Sequence, residues 1–498
     1  MTVRSTDVLV IGAGNAALCA ALSAREHGAR VLVLERAPEE EAGGNSAFTA
    51  GNIRTVFNGQ DDIVELCPDL TSAELDITDF GTYTESQFYD DMGRLTQYRT
   101  DPDLCELLVT RSLSTLKWMR GLGVRFMPIY GKQAFKIDGR FKFWGGLVVC
   151  AWGGGPGLVE ALTSACRKSG IEILYGARAT DLMQDDQGVR GARVRLRETG
   201  QSVDIEAQAV VLAAGGFQAN PEMRTRYLGP GWDLAKVRGT RFNTGDGINM
   251  ALRAGARAYG NWSGCHAVGW DANAPEFGTL EVGDNFQKHS YPWGVMINAH
   301  GRRFVDEGAD FRNYTYARYG QEILKQPGQM CWQVFDNKII PNLRDEYRIR
   351  QVTKVRANSL EELAEKLEGV NSSGFLDEIE AYNAAVRIDV DYNPNVKDGR
   401  CTEGLAINKS HWAHRLDEPP FEAYQTTCGI TFTFGGVRVD NGAQVMDTED
   451  VPIPGLFAAG EMVGGLFWFN YPGGTGLMAG AVFGRIAGES AASAVNAS

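Results

Sequence analysis

Hydrophobic positions in this chain form short continuous runs near both ends and helical spacings between them. Val8 to Ile11 is an unbroken apolar run with the length of a buried strand, and a small-residue stretch from about Asn15 to Gly28 predicts a helix. Val31 to Leu34 repeats the strand pattern and ends in Glu35 and Arg36. Between residues 63 and 122 an acidic stretch gives way to Leu104, Leu107 and Leu108 at i, i+3 and i+4. Leu113 and Leu116 repeat the step, which predicts core helices. A helix is expected from Leu158 to Ser169, then a single strand over IEILYGARATDLM. Gly191 to Leu212 reads as an antiparallel meander turning at Thr199-Gly200. Near residue 261 the composition shifts toward aromatics and carries every histidine except His27. The apolar, glycine-rich style resumes at CGITFTFGGVRVD, and the chain closes on a glycine turn running into a helix, YPGGTGLMAGAVFGRIAGESAASAV. The expected organisation is a first domain over residues 1–260, an inserted second domain over 261–429, and a return to the first over 430–498.

A length of 498 residues accommodates two or three domains with their own cores. The 44% apolar and 22% charged content is that of an ordinary soluble protein. A net charge of −13 argues against nucleic acid or an anionic membrane as the main partner. Nine scattered cysteines form no C-x-x-C or C-x-x-C-H, so haem or iron–sulfur attachment is not signalled and a reduced, cytoplasmic setting is expected. His411 and His414 have no cysteine nearby and read as surface residues, so no metal is expected. The strand begins so early that no signal peptide is expected, and no run reaches the ~18 apolar residues of a membrane span.

Glycine changes this picture most. Gly12, Gly14 and Ala17 follow the first strand in the spacing G-x-G-x-x-A. Strand, glycines, helix, strand and terminal acid, in that order, form the dinucleotide fingerprint. Gly12 permits the tight turn, Gly14 lets backbone approach a pyrophosphate, Ala17 lets the helix sit close on the sheet, and Glu35 can hold a ribose hydroxyl. The loop over residues 42–54, with Gly44, Asn45, Ser46 and Gly51, is suited to wrapping a ligand. Ala213, Ala214, Gly215 and Gly216 end a strand where a ring or phosphate could pass closely. Similar signals recur at Gly460-Glu461 and from Gly473 to Leu477. A nicotinamide domain is one contiguous block, whereas signals spread over the whole chain point to FAD.

Across nearly its full length the chain resembles the flavoprotein subunits of succinate dehydrogenase and fumarate reductase and their soluble relatives. The resemblance rests on VIGAGNAAL, GGNSAFTAG, LAAGGF, TGDG, GRRFVDE, FTFGG, GLFAAGE and the terminal GG-T-G-L-M-A-G. Within that family it is most similar to the FAD-dependent tricarballylate dehydrogenases, through RFVDEGADFRNYTY, NPNVKDGR, CGITFTFGG and NYPGGTGLM. The resemblance implies an α/β fold, a glutathione-reductase-like FAD-binding Rossmann domain with an inserted α+β capping domain. It implies that Asp246 and Glu461 bind FAD, Glu461 on the ribityl chain, and that Gly476 and Leu477 offer backbone N–H groups to the pyrimidine end. The respiratory members attach flavin through a histidine six residues before a loop glycine; counted back from Gly51 that place is Asn45, so noncovalent FAD is expected.

By the same resemblance Arg312 matches the arginine that moves the proton and His266 a histidine that holds a substrate carboxylate. An arginine paired with Glu307 or Asp310, and a histidine packed at a domain junction, are the structural alternatives. Phe432 and Tyr471 stand where fumarate reductases carry a histidine and an arginine. Phe286 and Gln287 stand near their threonine–glutamate pair, and Ser290 near their relay arginine. A plain succinate or fumarate enzyme is therefore disfavoured. Aromatics fill the gap: Phe432, Phe434, Phe467, Trp468, Phe469 and Tyr471. Tyr471-Pro472-Gly473 also resembles the Y-P-G turn of 3-ketosteroid dehydrogenases, whose tyrosine polarises a ketone, while Lys288, His289 and Arg312 remain candidate carboxylate partners.

The expected activity is an FAD-dependent dehydrogenase or reductase of a C–C bond beside a carboxylate or carbonyl. One alternative is a desaturase or ene-reductase of a cyclic ketone using Tyr471. Another is a flavin-carrying subunit of a larger complex; the tricarballylate enzymes themselves resemble a flavoprotein of corrin biosynthesis. Expected partners are a small-molecule substrate and a separate acceptor protein or quinone, with no nucleic acid and no membrane insertion.

Overall fold

A computed structural model describes residues 4–496. Its central strand, Arg4–Ile11, lies between Val31–Leu34 and Ser202–Leu212, parallel to both, with Val8 opposite Val31 and Ala209. Val8, Leu9 and Val10 have no exposed surface, which is why this strand reads as a continuous apolar run rather than an alternating one. The sheet continues on one side to Glu172–Leu174 and on the other to the antiparallel strands Gly188–Leu196 and Ala177–Asp185. Ser202–Leu212 changes partner along its length. Its first half pairs with Gly188–Leu196, and Val210 to Leu212 pair in parallel with Pro452–Ala458, so the end of the chain completes the sheet that its start began.

One expected strand is two. Over IEILYGARATDLM the chain breaks at Gly176, whose φ is +63°, and sends Glu172–Leu174 and Ala177–Asp185 to opposite sides of the sheet. The meander therefore has three strands and starts at Ala177.

The second sheet is built on two long antiparallel strands, Ala258–Asp271 and Phe421–Val437, flanked by Lys236–Val237, Met330–Phe335, Val295–Ile297 and Lys354–Ala357. The expected boundaries at 260/261 and 429/430 fall inside the two long strands. The pairing slips between His266 and Ala267, so His266 faces Phe432 while Ala267 faces Ile430. This irregularity re-aims the strand at its middle. The helix Arg312–Leu324 crosses close above it at Gly320, where an added Cβ would lie 2.4 Å from the Ala267 backbone.

The helix Asn15–Glu26 packs on the closing helix Thr475–Asn496 through glycines spaced one turn apart. A Cβ at Gly484 would lie 2.4 Å from the Ala16 carbonyl oxygen, and one at Gly488 2.2 Å from that of Ala20. The Ser23 hydroxyl donates to the Arg485 carbonyl at 2.7 Å.

Among the described residues no helix is long and apolar enough to cross a membrane, and no group of three or more His, Cys, Asp or Glu is arranged to hold a metal ion. All nine cysteines are free thiols. His411 and His414 are half-buried rather than surface residues. His411 Nδ1 accepts from the Gly399 N–H at 2.9 Å, and the His414 ring lies 4.3 Å from that of Tyr392.

Replacing Gly488 with Val is expected to push the two helices apart and cost about 1–3 kcal/mol by overpacking. The midpoint of chemical denaturation measures this, and an unchanged midpoint would mean that the helices do not cross there.

Candidate functional site

One continuous cavity runs from the first glycine turn, under the closing helix, to the irregularity at His266. At its near end Gly12, with φ +115°, lies so close to the next strand that a Cβ would stand 2.3 Å from the Ala213 carbonyl oxygen. Gly14 lines the cavity beside Ser46, whose hydroxyl accepts the Asn15 N–H at 3.0 Å. Glu35 is buried and accepts the N–H groups of Ala13 at 3.0 Å and Ala37 at 2.8 Å, while burial pushes its carboxyl above the usual range. Arg36 lines the same end and pairs with Asp246 at 2.9 Å, as does Arg178 at 2.8 Å. Asp246 thus braces two arginines at the cavity wall.

Further along, Gly44, Asn45 and Ser46 line one side, and Ala214, Gly215 and Gly460 the other. Both ends of the Asn45 amide are occupied: Nδ2 donates to the Thr431 carbonyl, and Oδ1 accepts the Thr240 N–H at 3.0 Å. Glu461 accepts the Thr433 N–H at 2.7 Å and the Gln218 amide at 3.2 Å, and burial pushes its carboxyl up to about 7. Gly476 and Leu477, in the first turn of the closing helix, present to the cavity the helix end whose N–H groups have no intrahelical partner.

Ala17 and Gly51 of the expected cofactor set are not in the lining, and neither are Gly216 and Gly473. Ala17 is fully buried in the helix and serves packing alone. Gly51 turns the other way, with φ +72° and an added Cβ 2.7 Å from Gly154, while its neighbours Ala50 and Asn52 line the cavity.

The far end holds Arg312, Tyr316, His266, His289 and Tyr471. Arg312 is buried, and neither of the expected carboxylates pairs with it: Glu307 is held by Arg303, and Asp310 by Arg94 and Lys397. Its Nε and Nη2 have no hydrogen-bond partner among the described residues. Burial, and then the like charge of Arg344, push its guanidinium down to about 9.

Both ring nitrogens of His266 and of His289 are also without partners. Burial holds both imidazoles neutral, with the neighbouring arginines adding to the effect. The His266 ring sits 4.9 Å from that of Tyr316, 5.2 Å from Phe432 and 5.0 Å from Tyr471. The hydroxyls of Tyr316 and Tyr471 are hydrogen-bonded at 2.5 Å, and burial pushes both phenols above their usual range.

Phe432, Phe434 and Phe467 form an apolar wall here. Trp468 and Phe469 do not join it. The Trp468 indole N–H is turned back to the Gly465 carbonyl at 3.1 Å, and Phe469 is 40% exposed. Lys288 is absent from the lining too, being fully buried beside Asp271 at 3.3 Å.

Lining residues that the sequence did not single out include Lys132, Arg238, Tyr316 and Arg344. Tyr316 follows Arg312 by one helical turn, a spacing that could have flagged it. The other three lie in segments without a motif.

The donors fit FAD. Glycine backbone lines the near end where a pyrophosphate would pass, two buried carboxylates face positions for sugar hydroxyls, and a helix N-terminus faces the place of a ring that gains negative charge on reduction.

The FAD binding domain family model matches residues 7–477. A probable fumarate reductase of Shewanella frigidimarina is 30% identical over 494 residues, covering 98% of this chain and 75% of that protein. A 3-oxosteroid 1-dehydrogenase of Mycolicibacterium smegmatis is 25% identical over 569 residues, covering 98% and 97%. The open conformation of a flavocytochrome c3 fumarate reductase superposes with a TM-score of 0.73 at 27% identity, over 99% of this chain and 79% of that one. This chain belongs to the FAD-binding flavoprotein family represented by these proteins, and it is an FAD-dependent oxidoreductase acting on carbon–carbon bonds.

Proposed function

We propose that the protein holds FAD without a covalent link and dehydrogenates, or in reverse forms, a carbon–carbon single bond beside a carboxylate. The observation that carries this reading is the Arg312 guanidinium, buried at the end of the cavity with Nε and Nη2 unpartnered and no carboxylate within ion-pair distance among the described residues. A buried charge needs a partner, and a substrate carboxylate supplies one. His266 and His289 sit alongside as neutral imidazoles, each able to donate one N–H to a carboxylate oxygen. A polycarboxylate such as tricarballylate belongs to this substrate class. The electrons pass on to a separate protein, quinone or small acceptor, and the setting we propose is the cytoplasm.

A bound flavin would supply the hydride acceptor or donor for the carbon β to the carboxylate. In the reducing direction negative charge then gathers on the α-carbon and carboxylate oxygens. Arg312 neutralises that charge and delivers a proton to the α-carbon; in the dehydrogenating direction it removes one. An arginine is ordinarily too basic for this, but burial and the Arg344 charge bring it down to about 9. The Phe432, Phe434 and Phe467 wall keeps water from the reacting carbons.

A second reading is favoured by the Tyr316–Tyr471 pair. If Tyr316 donates to Tyr471, the Tyr471 O–H is free to donate to a ketone oxygen and acidify the neighbouring C–H. The 3-oxosteroid dehydrogenase among the relatives gives that reading its substrate class, a cyclic ketone.

Replacing Arg312 with Gln is expected to lower kcat for unsaturated acids on the order of ~10²- to 10⁴-fold. Because Arg312 gives a proton in reduction, kcat/KM should fall as pH rises through about 9; in dehydrogenation it takes one, so the rate should rise toward the same value. A pH profile flat across that range would rule Arg312 out. Tyr471→Phe should leave the acid reaction within a few-fold of wild type; a loss of ~10²-fold, with turnover of cyclic ketones but not acids, would replace the first reading by the second. Acid precipitation is expected to leave the yellow colour in the supernatant, since Asn45 offers no nucleophile; colour retained by the pellet would show a covalent link elsewhere.

A further inference from the structure

The segment Arg344 to Tyr347 reaches the cavity from a part of the chain with no recognisable motif. It is held firmly. The Arg344 N–H donates to the Ser290 hydroxyl at 3.4 Å, the Tyr347 hydroxyl accepts the Ser290 N–H at 2.8 Å and donates to Gln333 at 2.6 Å, and Lys288 Nζ donates to the Glu346 carbonyl at 3.2 Å. These bonds fix the backbone, and the Lys132 carbonyl fixes the Arg344 side chain by accepting Nη2 at 2.6 Å.

The rest of the Arg344 guanidinium is left over. The side chain is 6% exposed and lines the cavity, and its Nε has no partner among the described residues. Its nearest carboxylate, Glu346, stands 3.9 Å from Nη1, beyond hydrogen-bond reach, and Glu346 Oε1 is itself without a hydrogen bond. Arg238, in the same lining, shows the contrast: its Nε donates to Asp284 at 2.6 Å. Arg312 has no carboxylate within ion-pair distance among the described residues, and Glu346 acts on it only from farther off. Two buried guanidiniums therefore share one poorly placed acid, Glu346, and the half-buried Lys132 adds a further cation to the lining. One substrate carboxylate, the one proposed above, answers Arg312 and leaves Arg344 unanswered.

We propose that Arg344 is a specificity-determining anchor for a second carboxylate, so that the substrate carries two acid groups, one beside the reacting bond and one remote from it. This rests on the acid reading of Arg312 and the two histidines. Arg344 makes no contact with the reacting carbons; it selects polycarboxylates over monocarboxylates and sets the register of the reacting bond. The unpartnered Nε–H and the partly engaged guanidinium suit a carboxylate, which arginine recognises through parallel N–H donors.

Calorimetric titration of the oxidised holoenzyme with saturated ligands tests this. Succinate, glutarate and adipate are each compared with the monocarboxylate of the same chain length. At least one dicarboxylate is expected to bind ~10- to 100-fold more tightly than its monocarboxylate partner, and Arg344→Gln should abolish that preference while changing the monocarboxylate Kd by less than about 3-fold. Arg344→Lys, which keeps the charge, should keep part of the preference and serves in its place if the Gln variant does not fold. A preference that survives in Arg344→Gln, or in Arg344→Lys is stronger than in wild type, would overturn the assignment. So would a wild type that binds mono- and dicarboxylates equally, with the acid reading left standing. A wild type that binds neither class would overturn both.

Discussion

Residues 462 positions apart must meet for this protein to have its cavity, and the crossing of its first and last long helices brings them together. Gly484 and Gly488 let the closing helix lie against the backbone of Ala16 and Ala20. The Asn15 amide then reaches the Leu477 carbonyl at 2.8 Å, tying the glycine turn of the cofactor end to the first turn of the helix facing the other end. A second tie comes from buried Arg54, which donates through Nε to the Gly473 carbonyl at 2.9 Å and through its backbone N–H to that of Gly474 at 3.1 Å. The turn that carries Tyr471 toward Tyr316 is held between these two ties, with the Gly473 N–H on the Asn313 carbonyl at 2.7 Å. Both ends of the cavity thus depend on one packing constraint.

The two ends of the cavity differ in electrostatic character. At the near end charges are answered within the protein: Asp246 by Arg36 and Arg178, and Glu35 by backbone N–H groups. At the far end Arg312, Arg344, His266 and His289 keep polar atoms without partners among the described residues. Water or a ligand must satisfy such groups, and the aromatic wall limits the room for water. A far end rich in unanswered donors and bounded by phenylalanines fits an acidic substrate with carbon between its acid and its reacting bond.

How much of this was legible in the sequence follows from where the determinants lie. The near end was readable in that Gly12, Gly14 and Glu35, which line it, belong to a local backbone pattern that fixed spacings record. Asn45, Ala214, Gly215, Glu461, Gly476 and Leu477 were readable through family motifs, and all of them line the cavity. Gly51 and Ala17 share those motifs but serve packing. The far end of the cavity was half readable. Arg312, His266 and Tyr471 came from resemblance, whereas Arg238, Arg344 and Lys132 reach the cavity only through tertiary contacts that leave no local pattern. Which aromatics of the cluster face the cavity could not be read from the sequence, because side-chain direction depends on backbone: Phe469 has φ +62° and turns outward. The strand over IEILYGARATDLM failed similarly, since nothing around Gly176 in the sequence announces that the two halves serve different sides of the sheet.

The central claim is that one cavity holds a redox cofactor and an acidic substrate in register for hydrogen transfer. An anaerobic titration tests it directly: the holoenzyme is reduced with one equivalent of dithionite, then mixed with α,β-unsaturated mono-, di- and tricarboxylates and with cyclic enones while the flavin band is followed. The account predicts that an unsaturated polycarboxylate restores the oxidised spectrum with one molecule of saturated acid formed per flavin. Reduced flavin that persists with every acid, yet is reoxidised stoichiometrically by an enone, would contradict it.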